Sequence, residues 1–455
     1  MSETPQAPAT RLGGNYWKLF SASTVANLGD GLMVVAIPWL ASAITRDPLQ
    51  IALVALATRI PWLLFSLPAG VITDRFDRRR LVAGMDVARC AAIFVFGAVV
   101  LANQGDLSSP EAIADGSADP PGNAAVLLAL LYLTALLVGF AEVLHDNSAQ
   151  TLLPSVVGKH QLEKANSRMW GAEMTMNQFV GPPLAGLLLG VAFALPFFVN
   201  AGTFAVAAAL VFALTGTFSP KGQTTTGRID WRREIGEGLS WLWRHELLRS
   251  LAIVLGGLNA MSAMAMAIYV LFAQEILGLD ARGFGLLLTG SAVGGVLGSL
   301  LADRVSKRLG PGAALFTSMV GMGLGVGVIG LISSGEVAWV VLVASGFLVV
   351  MWNVITVSLR QTIIPDHLLG RVNSVYRFFG WGTISLGSLV GGVVVTVGEP
   401  LLGREWALRM PFLIAAAVHF VLLAYALPRI NTARIQAAKV AAESGPAQPD
   451  FADPQ

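Results

Sequence analysis

The chain has 455 residues, 55% of them hydrophobic and only 13% charged. A soluble domain carries roughly 25% charged residues, so this composition excludes a water-solvated globule and places most of the chain in lipid. The net charge of +2 speaks against nucleic acid, and a single cysteine, Cys90, excludes an intramolecular disulfide and any multi-cysteine metal site.

Residues 1–16 are polar and rich in Pro and Ala, with no signal-peptide core before the first apolar run. They read as a cytoplasmic tail. Twelve stretches near the ~20-residue spanning length follow. The first six (17–44, 50–73, 81–102, 124–146, 166–190 and 192–215) make an N-terminal six-helix bundle over 17–215. Residues 216–247 form a cytoplasmic linker. Its Trp231-Arg232-Arg233 to Trp241-Leu242-Trp243-Arg244 segment mixes Trp, Leu and Arg as a helix lying at a membrane surface does. Six more stretches (248–273, 284–302, 312–333, 337–358, 372–397 and 408–428) make a C-terminal bundle over 248–428, and 429–455 read as a second cytoplasmic tail. The expected fold is an all-α membrane protein with twelve transmembrane helices in two pseudo-symmetric six-helix bundles.

Lys and Arg set the orientation. With the N-terminus inside, 24 of the 30 basic residues fall inside, and Arg46, Arg282, Arg404 and Arg409 fall outside. Only Arg59 and Arg89 lie within spans. Both termini are therefore expected in the cytoplasm. The loop at 103–123 carries Asp and Glu but no Lys or Arg, as expected of an outside loop.

The two bundles read as a duplication. Gly70-Val71-Ile72-Thr73-Asp74-Arg75-Phe76-Asp77-Arg78-Arg79-Arg80 is a charge-dense turn between two spans. It is echoed by Asp303-Arg304 and the residues around them, at an offset of 229. Gly181-Pro182-Pro183-Leu184-Ala185-Gly186 is echoed by Gly387–Gly392 at an offset of 206. The offsets differ by 23, about the length of the 103–123 loop.

Several residues stand out chemically. Asp30 sits near the middle of the first span, where a charged side chain costs at least ~2.5–3.5 kcal/mol. Arg59, midway along the second span, is the expected partner. Three readings stay open: a proton-coupling carboxyl, a permanent Asp30–Arg59 ion pair that staples two helices, or direct contact with a cationic substrate. Asp86 and Arg89 lie one turn apart on the third span. Glu142 and Asp146 share one face of the fourth, and Glu173 and Asn177 one face of the fifth. Gly181, Pro182 and Gly186 remove side-chain bulk and a backbone donor, which suits a close helix seam. Asn27, Glu173, Asn177, Asn259, Met261, Trp352, Asn353, Phe378 and Trp381 are candidate cavity residues. Met is suited to surfaces that accept varied apolar ligands. Gly325–Gly330 spells G-x-G-x-x-G within an apolar span and reads as helix packing. No P-loop and no H-E-x-x-H occurs, and His419 reads as a packed helix residue.

Gly70, Asp74, Arg75, Arg78 and Arg79 occupy positions at which the chain resembles the signature loop of the major facilitator superfamily, with Asp77 where the general pattern has Gly. The Asp-Arg-Phe-Asp-Arg-Arg-Arg form resembles the macrolide-efflux and enterobactin-exporter branch, as does Glu237-Gly238-Leu239 with Leu242–His245. Gly181 to Gly186 is similar to the helix-5 motif of that superfamily's proton-coupled exporters, with Ala185 departing from a second Gly. The resemblance covers about residues 15–430. It implies a cytoplasmic latch built from the 70–80 loop. Asp303 and Arg304 of its echo belong to the expected latch, Arg371 and Asn373 are candidate partners, and Asp86, Arg89 and Glu142 are candidate members of the network; topological anchoring by the positive residues alone is the alternative.

The expected function is secondary active export of a lipophilic small molecule (a drug, antibiotic or siderophore) by proton antiport with alternating access. The protein is expected to be a monomer in the bacterial inner membrane, surrounded by lipid. It is not expected to be an enzyme, and it calls for no cofactor and no metal, with protons as the coupling ion. The alternatives are an inward carrier of lysophospholipid or metabolite, and a non-transporting receptor or scaffold on the same fold.

Overall fold

In a computed structural model, residues 12–73, 76–114, 117–158, 161–216, 218, 231–364 and 366–443 are described. The expected elements at Asp74, Arg75 and 219–230 lie outside these residues. The described chain is helical, with no strand among those residues. Eleven helices are long and apolar enough to cross a membrane.

The twelfth span is broken. It runs as α6 (Leu162–Met174), a π-helical turn (Thr175–Val180) and α7 (Gly181–Leu189). Pro182 and Pro183 bring no N–H, so the carbonyls of Gln178 and Phe179 lose their helical donors. The turn before them widens, and the Gly181 N–H bonds Met176 O, five residues back. The Gly-Pro-Pro triplet thus produces the π turn in the span that carries the helix-5 motif.

The chain forms two compact units. The first comprises residues 1–46, 57–224 and 279–289, and the second 47–56, 225–278 and 290–455. Within the first are α1 (Gly14–Ile44), most of α2 (Pro48–Thr73), α3 (Arg78–Ala102), the short α4 (Pro110–Ala114), α5 (Ala124–Val156) and α8 (Leu195–Phe212). Within the second are α9 (Trp231–Arg244), α10 (Glu246–Ala267), α11 (Tyr269–Glu275) and most of α12 (Ala281–Leu309). It also holds α13 (Pro311–Leu331), α14 (Gly335–Ile363), α15 (Asp366–Leu402), α16 (Arg404–Ala426) and α17 (Thr432–Glu443).

The internal packing of each unit repeats the other. In the first, α3 packs on α5 and α8, and α1 on α7 and α8; in the second, α13 packs on α14 and α16, and α10 on α15 and α16. One matched detail falls at the 206 offset. Asn147 Nδ2 donates to Val143 O at 2.7 Å, and Asn353 Nδ2 to Val349 O at 3.0 Å.

Three elements differ from expectation. The unit boundaries do not follow the bundle limits 17–215 and 248–428. Residues 47–56 join the second unit, and Gly392 permits their close approach: a Cβ there would meet Ala52 Cβ at 2.6 Å. The segment around Asp303 and Arg304 is not a loop but the exposed last turns of α12, where Asp303 pairs with Lys307 at 2.7 Å. The tail contains α17, tied to the second unit by Arg434 Nη1 to Glu246 Oε1 at 2.7 Å. The expected helix at 231–244 is present as α9, and Leu242 anchors it fully buried in that unit's core while Leu239 and Trp243 stay exposed.

Candidate functional site

Glycines set the position of Asp30. On either side of it, Gly29 and Gly31 let α1 approach its neighbours at backbone distance. A Cβ on Gly29 would lie 2.0 Å from Asn200 Oδ1 on α8, and one on Gly31 would lie 2.7 Å from the Asn177 carbonyl in the π turn. Gly181 completes the seam, since its Cβ would lie 2.5 Å from Gly31 Cα. Gly186 and Pro182 pack in the same way against the start of α12. A Cβ on Gly186 would meet the Ala281 carbonyl, and one on Gly285 the Pro182 carbonyl. The helix-5 motif is therefore a close-packed seam, and its first glycine lies directly against the turn that bears Asp30.

Asp30 enters a chain of ionisable groups within the first unit. Its Oδ2 lies 4.0 Å from Arg89 Nη1, and its side chain is 35% exposed. Arg89 Nη2 donates to Asp86 Oδ1, and both residues are buried, at 2% and 1% exposure. The guanidinium carbon stands 4.1 Å from the centre of the buried Phe204 ring, a cation–π contact that helps offset its desolvation. Asp86 Oδ1 is also 3.5 Å from His145 Nε2, and His145 Nδ1 is 2.9 Å from Asp146 Oδ1. Glu142 lies in the field of Asp30, Asp146, Arg89 and Arg59.

One cation therefore serves two carboxylates of different character. Asp86 is sealed in contact with Arg89, whereas Asp30 is farther away and partly open. Buried charges persist only when paired, and Asp86 satisfies that need even when Asp30 is neutral. Asp30 can then gain or lose a proton without orphaning the arginine.

The cation facing Asp30 is Arg89 on α3 rather than the expected Arg59; Arg59 is exposed and stands near Glu142. Asp86, Arg89 and Glu142, expected in the latch network, belong to this cluster. His145 was not among the expected residues, yet it bridges Asp86 and Asp146. Its sequence signal was its place beside Asp146 and three residues after Glu142.

In the 70–80 loop, Asp77 caps α3 by accepting from Arg80 N at 3.0 Å. Arg78 donates to Thr151 O at 3.1 Å and Arg79 to Leu214 O at 2.7 Å, so both bind carbonyls at helix C-terminal ends within their own unit. Asp74, Arg75 and the side chains of Gly70, Arg371, Asn373, Phe378 and Trp381 lie outside the described residues.

The second unit contains a cavity of roughly 480 Å³. Its wall is mostly apolar, including Leu255, Met266, Met322 and Phe412, with Asn259, Trp352, Asn353, Arg360 and His419 among its polar groups. Three expected residues (Asn259, Trp352 and Asn353) line it. Met266 takes the place expected for Met261, which is not in the wall; the two lie on different faces of α10. Asn27, Glu173 and Asn177 belong to the first unit. Asn27 Nδ2 bonds Ser23 O locally at 2.8 Å, and Glu173 is exposed near Asp30 and Asp146.

This all-helical fold with a repeated packing plan is that of a membrane transporter. Residues 19–388 match the family model described as Major Facilitator Superfamily, and the chain belongs to that superfamily. It is similar to the multidrug efflux pump Tap of Mycolicibacterium fortuitum, at 27% identity over 91% of this chain and 95% of the relative. It is also similar to the enterobactin exporter EntS of Escherichia coli, at 24% identity over 89% of this chain and 88% of the relative. Among solved structures, a mutant form of the nucleoside transporter NupG shares the fold with a TM-score of 0.71 at 13% identity, covering 91% of this chain and all of that one. The protein is thus a multi-pass membrane transporter and not an enzyme.

Proposed function

We propose that this protein exports an amphipathic small molecule from the cytoplasm in exchange for inward-moving protons. The observation that carries the reading is the Asp30–Arg89–Asp86 arrangement, in which one buried arginine remains paired whether or not Asp30 is ionised. A carboxyl of that kind can exchange protons while the fold around it stays intact. Gly31, the residue after this carboxyl, packs at backbone distance on the π turn, which couples the Asp30 segment of α1 to the most irregular helix of the first unit. The efflux activity of Tap and EntS supports the outward direction.

In this reading the substrate is held by the second unit's cavity, the protein works as a monomer in the inner membrane, and both termini face the cytoplasm. Access alternates as substrate and proton take turns. Protonation of Asp30 from outside favours release, and its deprotonation inside favours reloading. Proteoliposomes holding the purified protein test this directly. An imposed pH gradient should drive substrate movement against its own gradient, with dissipation of the gradient by the substrate. A substrate flux insensitive to the pH gradient would contradict the proposal.

A further inference from the structure

We propose that the second unit's cavity selects amphipathic organic anions: molecules with a ring-bearing apolar body and one acidic group. This deepens the exporter reading and rests on it for physiological meaning, but it concerns equilibrium binding, which needs no proton coupling.

The argument starts from charge. Among the described residues that line the cavity, Arg360 is the sole full charge, and no Asp or Glu is present. Arg360 makes no ion pair with any described carboxylate. Its guanidinium carbon sits 4.6 Å from the centre of the Tyr376 ring. Tyr376 is itself fixed, being 2% exposed with its hydroxyl donating to Leu248 O. The arginine is therefore steered by an aromatic face, which leaves its N–H donors to find acceptors elsewhere. In a mostly apolar cavity, a planar fork of donors with no carboxylate opposite is a site for a carboxylate, sulfonate or comparable anion.

The remaining polar groups agree. Trp352 is 3% exposed, and its indole N–H has no partner among the described residues. That nitrogen is shielded from open space and brings no charge into the cavity. His419 Nδ1 donates to Ala415 O at 2.7 Å, which ties the ring to its own helix. A lipophilic cation entering this cavity would meet Arg360 with no counter-charge to offset it.

Charge balance gives a consequence. Export of a monoanion against one inward proton moves two positive charge equivalents inward per cycle. An inside-negative membrane potential would then accelerate export, whereas exchange of a monocation for one proton would be electrically silent.

The test uses a matched pair of probes, 2-naphthalenesulfonate and 2-naphthyltrimethylammonium, with the purified full-length protein in nanodiscs and empty nanodiscs subtracted. The sulfonate should bind at least about tenfold more tightly. Arg360→Gln should remove the preference while both probes keep similar weak binding, and Arg360→Lys should retain part of it. Equal or tighter binding of the ammonium by the wild-type protein overturns the proposal, with no dependence on whether any variant folds. An unchanged preference in a monodisperse Arg360→Gln protein overturns it as well. Sulfonate selectivity without pH-driven flux would instead refute the exporter reading and leave this one standing.

Discussion

The two units share one packing plan and fill it with opposite chemistry. The 232-residue register that sets Asn27 against Asn259 matches Asp30 to Ser262 and the buried Asp86 to the buried Ser318. The 206-residue register, which also matches the two Asn–Val hydrogen bonds, sets Glu142 against Leu348, His145 against Met351, and Asp146 against Trp352. Where the first unit holds a chain of ionisable groups, the second holds alcohols, aliphatics and an indole around an open cavity. Duplication gave both halves the same scaffold. At these matched positions the first half buries ionisable groups, and the second keeps neutral residues and volume. That division suits a carrier in which one side handles protons and the other handles the organic substrate.

Four substitutions probe this division, and the strongest is expected at Arg89. Arg89→Leu strands Asp86 in a buried site, and loss of one partner of a buried pair costs about 3–5 kcal/mol. Thermal unfolding in detergent should fall sharply, and a variant as stable as wild type would break the account of the first unit. Gly181→Ala comes next. Its methyl would lie 2.5 Å from Gly31 Cα, a backbone atom that cannot rotate away. Overpacking of that kind costs about 1–3 kcal/mol, so transport should drop along with stability, whereas Gly202→Ala on α8, which has open space, should leave both unchanged.

His145→Gln should have a smaller and more selective effect. It keeps a polar side chain between Asp86 and Asp146 but alters the bridge between them. Gradient-driven transport should fall only in part while the unfolding temperature holds, and unaltered transport would show that the bridge is dispensable. The least effect is expected from Glu275→Gln in the second unit. Arg404 bonds Glu275 and Glu399, each at 2.9 Å, and keeps Glu399 after the change. The cost should be about 1 kcal/mol or less, visible as a slight shift in unfolding and no change in coupling.

Much of this was legible in the sequence, because it depends on length, polarity and spacing. Twelve spans, the duplication, Asp30 as the costly charge and the Gly181 motif all follow from one-dimensional pattern. The partner of Asp30 did not. Arg59 and Arg89 are both cations within spans, and depth along a helix says nothing of its rotation. Packing of α3 against α8 turns Arg89 toward Phe204 and Asp30, and no count of residues supplies that angle. The presence of Met266 rather than Met261 in the cavity wall has the same cause. The π turn was readable only as a tendency of Gly-Pro-Pro to bend. Its cost is met by the bond from Gly181 N–H to Met176 O, which a sequence does not display.

The central claim is that proton coupling resides in the first unit and substrate binding in the second. Asp30→Asn in proteoliposomes separates them, with two fluxes measured on one preparation: substrate uptake driven by a pH gradient, and substrate counterflow with no gradient. The account predicts that the gradient-driven flux is abolished while counterflow persists. Gradient-driven flux at the wild-type rate, or loss of counterflow in a protein that remains folded, would contradict it.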